Sequence, residues 1–199
     1  MKRLIWILGG MASGKSTLRD GLIRELKTSE PKLVKEEGVE YVDCGRLASL
    51  GNCLTNGQCN GLDQSFNRLK KEGAIKNVEL LVKNYDTIIL EGSQTSAQWI
   101  LPLCEICLNN DCRFILLHLN LRLWANYMRL RDRVLKRGKD EYDITDKKLD
   151  NIRAKVNQTR SIRKKCELTE FIDVINVDSE NFTSDQTLEF ALKELKKYE

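Results

Sequence analysis

Proline is nearly missing from this chain: its 199 residues hold two, Pro31 and Pro102. There is no proline-rich or low-complexity stretch and no internal repeat, so nothing reads as a linker. One domain with its own core is expected at this length. No apolar run approaches the ~20 residues that cross a bilayer, which argues against a membrane protein. Histidine is scarcer still. His118 stands alone inside Phe114-Ile115-Leu116-Leu117-His118-Leu119 and reads as a packed strand residue rather than a base. The seven cysteines are odd in number and irregular in spacing, which excludes a disulfide framework. Cys104-x-x-Cys107 followed by Cys112 has no second pair to complete a four-ligand zinc site, so packed, reduced thiols are expected.

Lys2 and Arg3 before Leu4-Ile5-Trp6-Ile7-Leu8 imitate the start of a secretory signal. The run is short, however, and cleavage there would destroy the motif that follows. A cytoplasmic protein is the reading. Net charge is only +4, but its distribution is uneven. Asn151 to Lys165 carries six basic residues and no acidic one; Arg129 to Lys139 carries six against Asp132 alone. Such banks suit polyanions, whether nucleotide phosphates or nucleic acid, and are also what a solvated helix face looks like.

Apolar runs and periodicity predict strands at Lys2–Leu8, Val39–Val42, Thr87–Leu90, Arg113–Leu119 and Phe171–Val177. Helices are predicted at Lys15–Thr28, Gln64–Lys71, Ala74–Lys83, Thr95–Leu108, Leu121–Lys136, Asp146–Glu167 and Ser184–Tyr198. Gly45–Gly61, rich in glycine and asparagine and without a clear period, reads as a loop or a broken segment. The alternation predicts a three-layer α/β fold: a five-stranded parallel sheet with helices on both faces. Ligands of such sheets bind at the carboxyl ends of the strands. Gly9, Asp43, Glu91 and Asn120 are expected to gather there.

Gly9-Gly10-Met11-Ala12-Ser13-Gly14-Lys15-Ser16-Thr17 contains G-x-x-x-x-G-K-[ST] in full, after a strand and opening a helix. Backbone N–H groups and the helix dipole then cradle phosphates. Lys15 reaches the β- and γ-phosphates, and the Ser16 hydroxyl suits magnesium. ATP with Mg²⁺ is therefore the expected cofactor pair. Arg129, Arg133 and Arg137 recur every four residues before Gly138, which predicts a basic lid over about 129–145 covering the transferred phosphate. Glu91 can hold magnesium or orient an acceptor. Asp43 is expected to be the base that takes the acceptor proton, with Asp63 as its rival. Arg46, Asn60, Ser93 and Gln94 are candidate contacts to an acceptor's base or sugar. Trp99 reads as core in preference to a stacking platform. Arg153, Arg160 and Lys164 fall seven and four residues apart and form one stripe along a helix.

Together these features resemble the P-loop kinase superfamily of nucleoside, nucleotide and polynucleotide kinases. The strand-end Asp43 and the pair Glu91-Gly92 look like the base and the magnesium or substrate contact of nucleoside-type kinases. Gly92 stands where the deoxynucleoside kinases usually carry arginine. The P-loop, the segment Gly57-Gln58-Cys59-Asn60-Gly61-Leu62-Asp63 and Leu90-Glu91-Gly92-Ser93 are similar to the bacteriophage kinases that phosphorylate 5-hydroxymethyluracil within DNA. That resemblance implies transfer of the ATP γ-phosphate to a base hydroxymethyl group. Two further readings stand beside it: a small-molecule nucleoside or nucleoside monophosphate kinase, and an ATP-gated binding module.

Overall fold

A computed structural model describes residues 1–36, 38–52, 54, 62–92, 97–136, 138 and 145–199, with the backbone alone for residues 62–71. Strand β1 (Lys2–Gly9) is buried from Arg3 onward, as its unbroken apolar run requires when helices cover both faces. Helix α1 (Lys15–Leu26) follows. The hairpin strands β2 (Lys32–Glu36) and β3 (Val39–Asp43) come next, then β4 (Leu47–Leu50), α2 (Leu62–Asn84) and β5 (Thr87–Gly92). A single turn at Ala97–Trp99 leads into α3 (Ile100–Asn109). The chain ends with β6 (Cys112–Asn120), α4 (Leu123–Lys136), α5 (Asp146–Glu167), β7 (Ile172–Asp178) and α6 (Ser184–Leu195).

The seven strands form one mixed sheet in the order β2-β3-β4-β5-β1-β6-β7. The run β4-β5-β1-β6-β7 is parallel, while β3 is antiparallel to both β2 and β4. This corrects the expectation of five parallel strands with Val39–Val42 as the second. The second parallel strand is β4, inside the stretch expected to be a loop. Its Leu-Ala-Ser-Leu is buried at every position and only four residues long, so it shows neither period. Strand β3 runs the other way because only Cys44, Gly45 and Arg46 separate it from β4, and so tight a connection joins antiparallel neighbours. The added edge strand β2 is mostly charged and exposed, a composition that discourages pairing with another chain. The two helices expected over 64–83 are one, α2, with Gly73 inside it.

Each face of the sheet buries a separate cluster. Leu4, Trp6, Leu8, Leu90, Phe114 and Leu116 face α2, α3 and α5; Trp99 joins them at 1% exposure. Ile5, Ile7, Ile89, Ile115 and Leu117 face Leu18 and Leu22 of α1 and Leu188 and Ala191 of α6. The cysteines Cys104, Cys107, Cys112 and Cys166 are free and buried, and among the described residues no three or more His, Cys, Asp or Glu side chains cluster as a metal would need. No helix among those residues is long and apolar enough to cross a membrane.

Two predictions follow from this packing. At the β3–β4 turn, Gly45 has φ +84°, and an added Cβ would stand 2.3 Å from Thr28 Oγ1. Gly45→Ala is expected to cost about 1–3 kcal/mol in urea unfolding; unchanged stability would contradict this turn. His118 is 2% exposed, and its Nδ1 lies 3.3 Å from Asn176 Oδ1. Burial, and then nearby Arg163, push its pKa down from 6.5 to about 4. The folded state therefore rejects a proton that the unfolded chain accepts below about pH 6.5. Stability is complete above that pH and lost as pH falls toward 4, by about 2 kcal/mol at pH 5. Unfolding curves at pH 7.5 and 5 measure this, and His118→Gln should flatten the difference.

Candidate active site

The P-loop leaves β1 at Gly9, whose strand neighbour is Leu119 of β6. Space around it is very tight. A Cβ on Gly9 would stand 2.5 Å from Ser13 Oγ, and one on Gly10 would stand 2.6 Å from Asn126 Nδ2 and 3.3 Å from Val156 Cγ2. Glycine is needed there because α4 and α5 press their side chains against the loop backbone. Gly14, at φ 93°, caps α1 and aims the first helical N–H groups into the loop.

Three polar side chains converge on this cradle. Lys15 Nζ donates to the carbonyls of Gly9 (3.1 Å) and Gly10 (2.8 Å), which holds the ammonium across the mouth of the loop. Ser16 Oγ donates to Glu91 Oε1 at 2.8 Å. The other Glu91 oxygen is paired with Arg19 Nη1, and Arg19 is also bonded to Asp20 Oδ1 through Nε (2.9 Å) and Nη2 (2.7 Å). Arg19 is 3% exposed. A hydroxyl and a carboxylate in contact at a phosphate cradle are the hard oxygen donors that magnesium takes, beside waters and the phosphates themselves.

A cleft of about 500 Å³ opens on the other side of the loop. Ala12, Ser13, Gly14 and Thr17 form one wall, and Arg129, Arg133 and Lys136 of α4 form the second. The third is the turn after β7, with Ser179, Phe182 and Thr183. Arg129 Nη2 donates to the Ser179 carbonyl, and Ser179 Oγ donates to the Asn120 carbonyl at 2.9 Å, so α4, turn and β6 are tied together. The Asp178 carboxylate shapes that turn by accepting from the backbone N–H groups of Glu180 (3.2 Å) and Asn181 (3.3 Å). Thr183 and Gln186 then form a capping box that starts α6.

The expected residues divide sharply. Gly9 to Thr17, Glu91, Arg129 and Arg133 are brought together. Asp43 and Arg46 are not. Strand β3 is reversed, so its carboxyl end lies at the opposite edge of the sheet. Arg46 is paired with Asp86, and its carbonyl accepts from Thr87 N (3.1 Å), the first residue of β5. Glu91 is four residues further along that strand, about 13 Å away. Asp43 Oδ1 instead accepts from Gly45 N at 2.8 Å and closes the turn. Asp43 as base and Arg46 as substrate contact are therefore corrected. Asn60, Ser93, Gln94 and Arg137 lie outside the described residues, as does the side chain of Asp63, the second residue of α2. Arg153 is paired with Asp150 at 3.1 Å.

Sequence reasoning missed Arg19, Asn126, Lys136, Ser179 and Thr183. Arg19 is three residues after Ser16 on one helix face, a spacing that was legible. Asn126 shares a face with Arg129 and Arg133. It is 1% exposed, and among the described residues neither its Nδ2 nor its Oδ1 has a hydrogen-bond partner. An orphaned buried amide costs about 1–3 kcal/mol per group, and this one abuts Gly10 of the P-loop.

No known family's sequence profile matches the chain, and no curated protein matches it by sequence. Solved structures do. A sugar kinase from Janibacter sp. is 13% identical, with 98% of this chain and 95% of that one covered at a TM-score of 0.51. A candidate kinase from Chloroflexus aurantiacus is 12% identical, with 98% and 97% covered at a TM-score of 0.54. The chain shares their α/β fold.

The corrected placement makes a direct prediction for phosphate transfer. Asp43→Asn should leave turnover within a few-fold of the parent. Glu91→Gln should lower it on the order of 10²-fold or more and raise the magnesium concentration required. Steady-state kinetics over a magnesium titration checks both; a large loss in Asp43→Asn alone would overturn the assignment.

Proposed function

We propose that the chain is an ATP-dependent kinase that transfers the γ-phosphate to a hydroxyl of a nucleotide-type acceptor. The observation that carries this reading is the convergence of Lys15, Ser16 and Glu91 on a complete P-loop, with Arg129 and Arg133 closing the adjoining cleft. Lys15 gives up two backbone carbonyls and takes phosphate oxygens in their place, a favourable exchange for an ammonium. Ser16 and Glu91 would hold magnesium, which neutralises phosphate charge. Arg19 holds the Glu91 side chain in place through their ion pair. The lid arginines supply charge where it develops in the transition state. The Ser179–Thr183 wall receives the nucleoside of ATP, since it continues the phosphate cradle outward from Gly14.

For the acceptor we favour the 5-hydroxymethyl group of 5-hydroxymethyluracil in DNA. Support comes from the resemblance carried by Gly57–Asp63 and Leu90–Ser93 and from the basic bank of α5. With Asp43 removed, the base is assigned to Asp63, which follows β4 on the strand end that Asp43 does not share. A small-molecule nucleoside or nucleotide acceptor is the second reading, and the sugar kinase among the fold's relatives speaks for it.

The test offers γ-labelled ATP with hydroxymethylated DNA, plain DNA and free nucleotides in parallel. Label should enter only the hydroxymethylated DNA. Lys15→Ala, at a residue outside both buried clusters, should abolish most of it while the protein stays folded. Product with a mononucleotide and none with hydroxymethylated DNA would select the second reading. ATP turnover without any labelled acceptor would leave an ATP-gated module.

A further inference from the structure

A second cleft, of about 480 Å³, lies outside the ATP site between α5 and the end of β6. Arg160, Arg163 and Lys164 supply three cations; Asn120, Asn157 and Ser161 supply neutral hydrogen-bonding groups; His118 forms part of its lining. Among the described residues no acidic side chain lines it. Arg163 is within 3.7 Å of Glu167, whereas among the described residues Arg160 and Lys164 have no acidic partner within ion-pair distance. Both are exposed.

Its position ties it to the reaction. Leu119 packs on Gly9, and the next residue, Asn120, lines the cleft. Val156 packs on Gly10, and the next residue, Asn157, lines the cleft. Two walls of the cleft therefore begin one residue from the P-loop. The lining also limits what can enter. It has no aliphatic or phenyl side chain on which a nucleobase or an acyl chain would pack. Concentrated positive charge with amide and hydroxyl donors and no apolar wall suits anionic oxygens such as those of phosphate. The cations continue along the exposed face of α5, so the bank is open at its ends, as a strand backbone needs and a single enclosed phosphate does not.

We propose that this cleft binds a phosphodiester of a nucleic-acid acceptor, as a second anion site beside the P-loop. The inference rests on the reading of the chain as a kinase of nucleotide-type acceptors, and it names the contact that would hold a strand near the cradle. His118, whose Nδ1 meets Asn176 Oδ1 at 3.3 Å, stands behind the cations and senses a charge bound to them without being a ligand itself.

The chain's one histidine supplies the probe. Ring ¹⁵N signals of His118 are followed by NMR while a short oligodeoxynucleotide, inorganic phosphate or a mononucleotide is added, and oligonucleotide affinity is measured against salt. The oligonucleotide should move the His118 signal saturably, at lower concentration than either small anion. Arg160→Ala and Lys164→Ala, both surface changes, should each lower the salt slope of binding by about 0.7–0.9 with ATP affinity unchanged. The proposal is overturned if saturating oligonucleotide leaves His118 unmoved, if both variants keep the parental slope, or if the mononucleotide moves His118 first. Arg160-dependent binding without phosphate transfer would keep the site and remove the DNA-acceptor reading. Transfer to hydroxymethylated DNA with an unmoved His118 would do the reverse.

Discussion

Glu91 joins the middle of the sheet to the helix that follows the phosphate cradle, and the rest of the site is arranged around that link. Its carboxylate accepts from Ser16 on one side and is paired with buried Arg19 on the other. Both partners belong to α1, so one carboxylate at the end of β5 sets the helix in register with the strand. An ionised pair this far from solvent survives only when its hydrogen bonds are filled, and Asp20 supplies the remaining acceptor for Arg19. The P-loop then has little freedom. Its glycines are pressed by Asn126 and Val156, its lysine is held by its own carbonyls, and its helix is anchored below.

Strand direction decides which carboxylates belong to that site. Asp43 and Glu91 both follow apolar strands, and along the chain they look equivalent. One three-residue turn reverses β3 and places them at opposite edges of the same sheet. The consequence is chemical: one carboxylate meets a hydroxyl at a phosphate cradle, and the other closes a turn. The same reversal gives β4 the place beside β5, so the chain that leaves β4 toward α2 starts from the edge where Glu91 ends.

Positive charge is distributed in three places with different surroundings. Lys15 lies inside the cradle. Arg129, Arg133 and Lys136 flank the first cleft from α4, where Arg129 is already held by the Ser179 carbonyl. Arg160 and Lys164 face the second cleft from α5, without acidic partners among the described residues. Arg153, on the same helix, has its charge met by Asp150. A basic bank read from composition thus resolves into residues that are already neutralised and residues that are not.

The chain by itself determined the P-loop, the four long apolar strands of the parallel core and the helices α4, α5 and α6. These signals are local: a motif whose residues act within nine positions, continuous apolar runs, and apolar residues at helical spacing. Trp99 and His118 as packed residues were legible for the same reason. Only the tertiary structure decided that Leu47–Leu50 is a core strand, that Val39–Asp43 runs backward, and that Asp43 and Arg46 stand away from the cradle. It also decided that Arg19, Asn126 and Ser179 belong to the site. Those outcomes depend on which strands become neighbours, and pairing is set by packing between residues far apart in sequence, which no local period records.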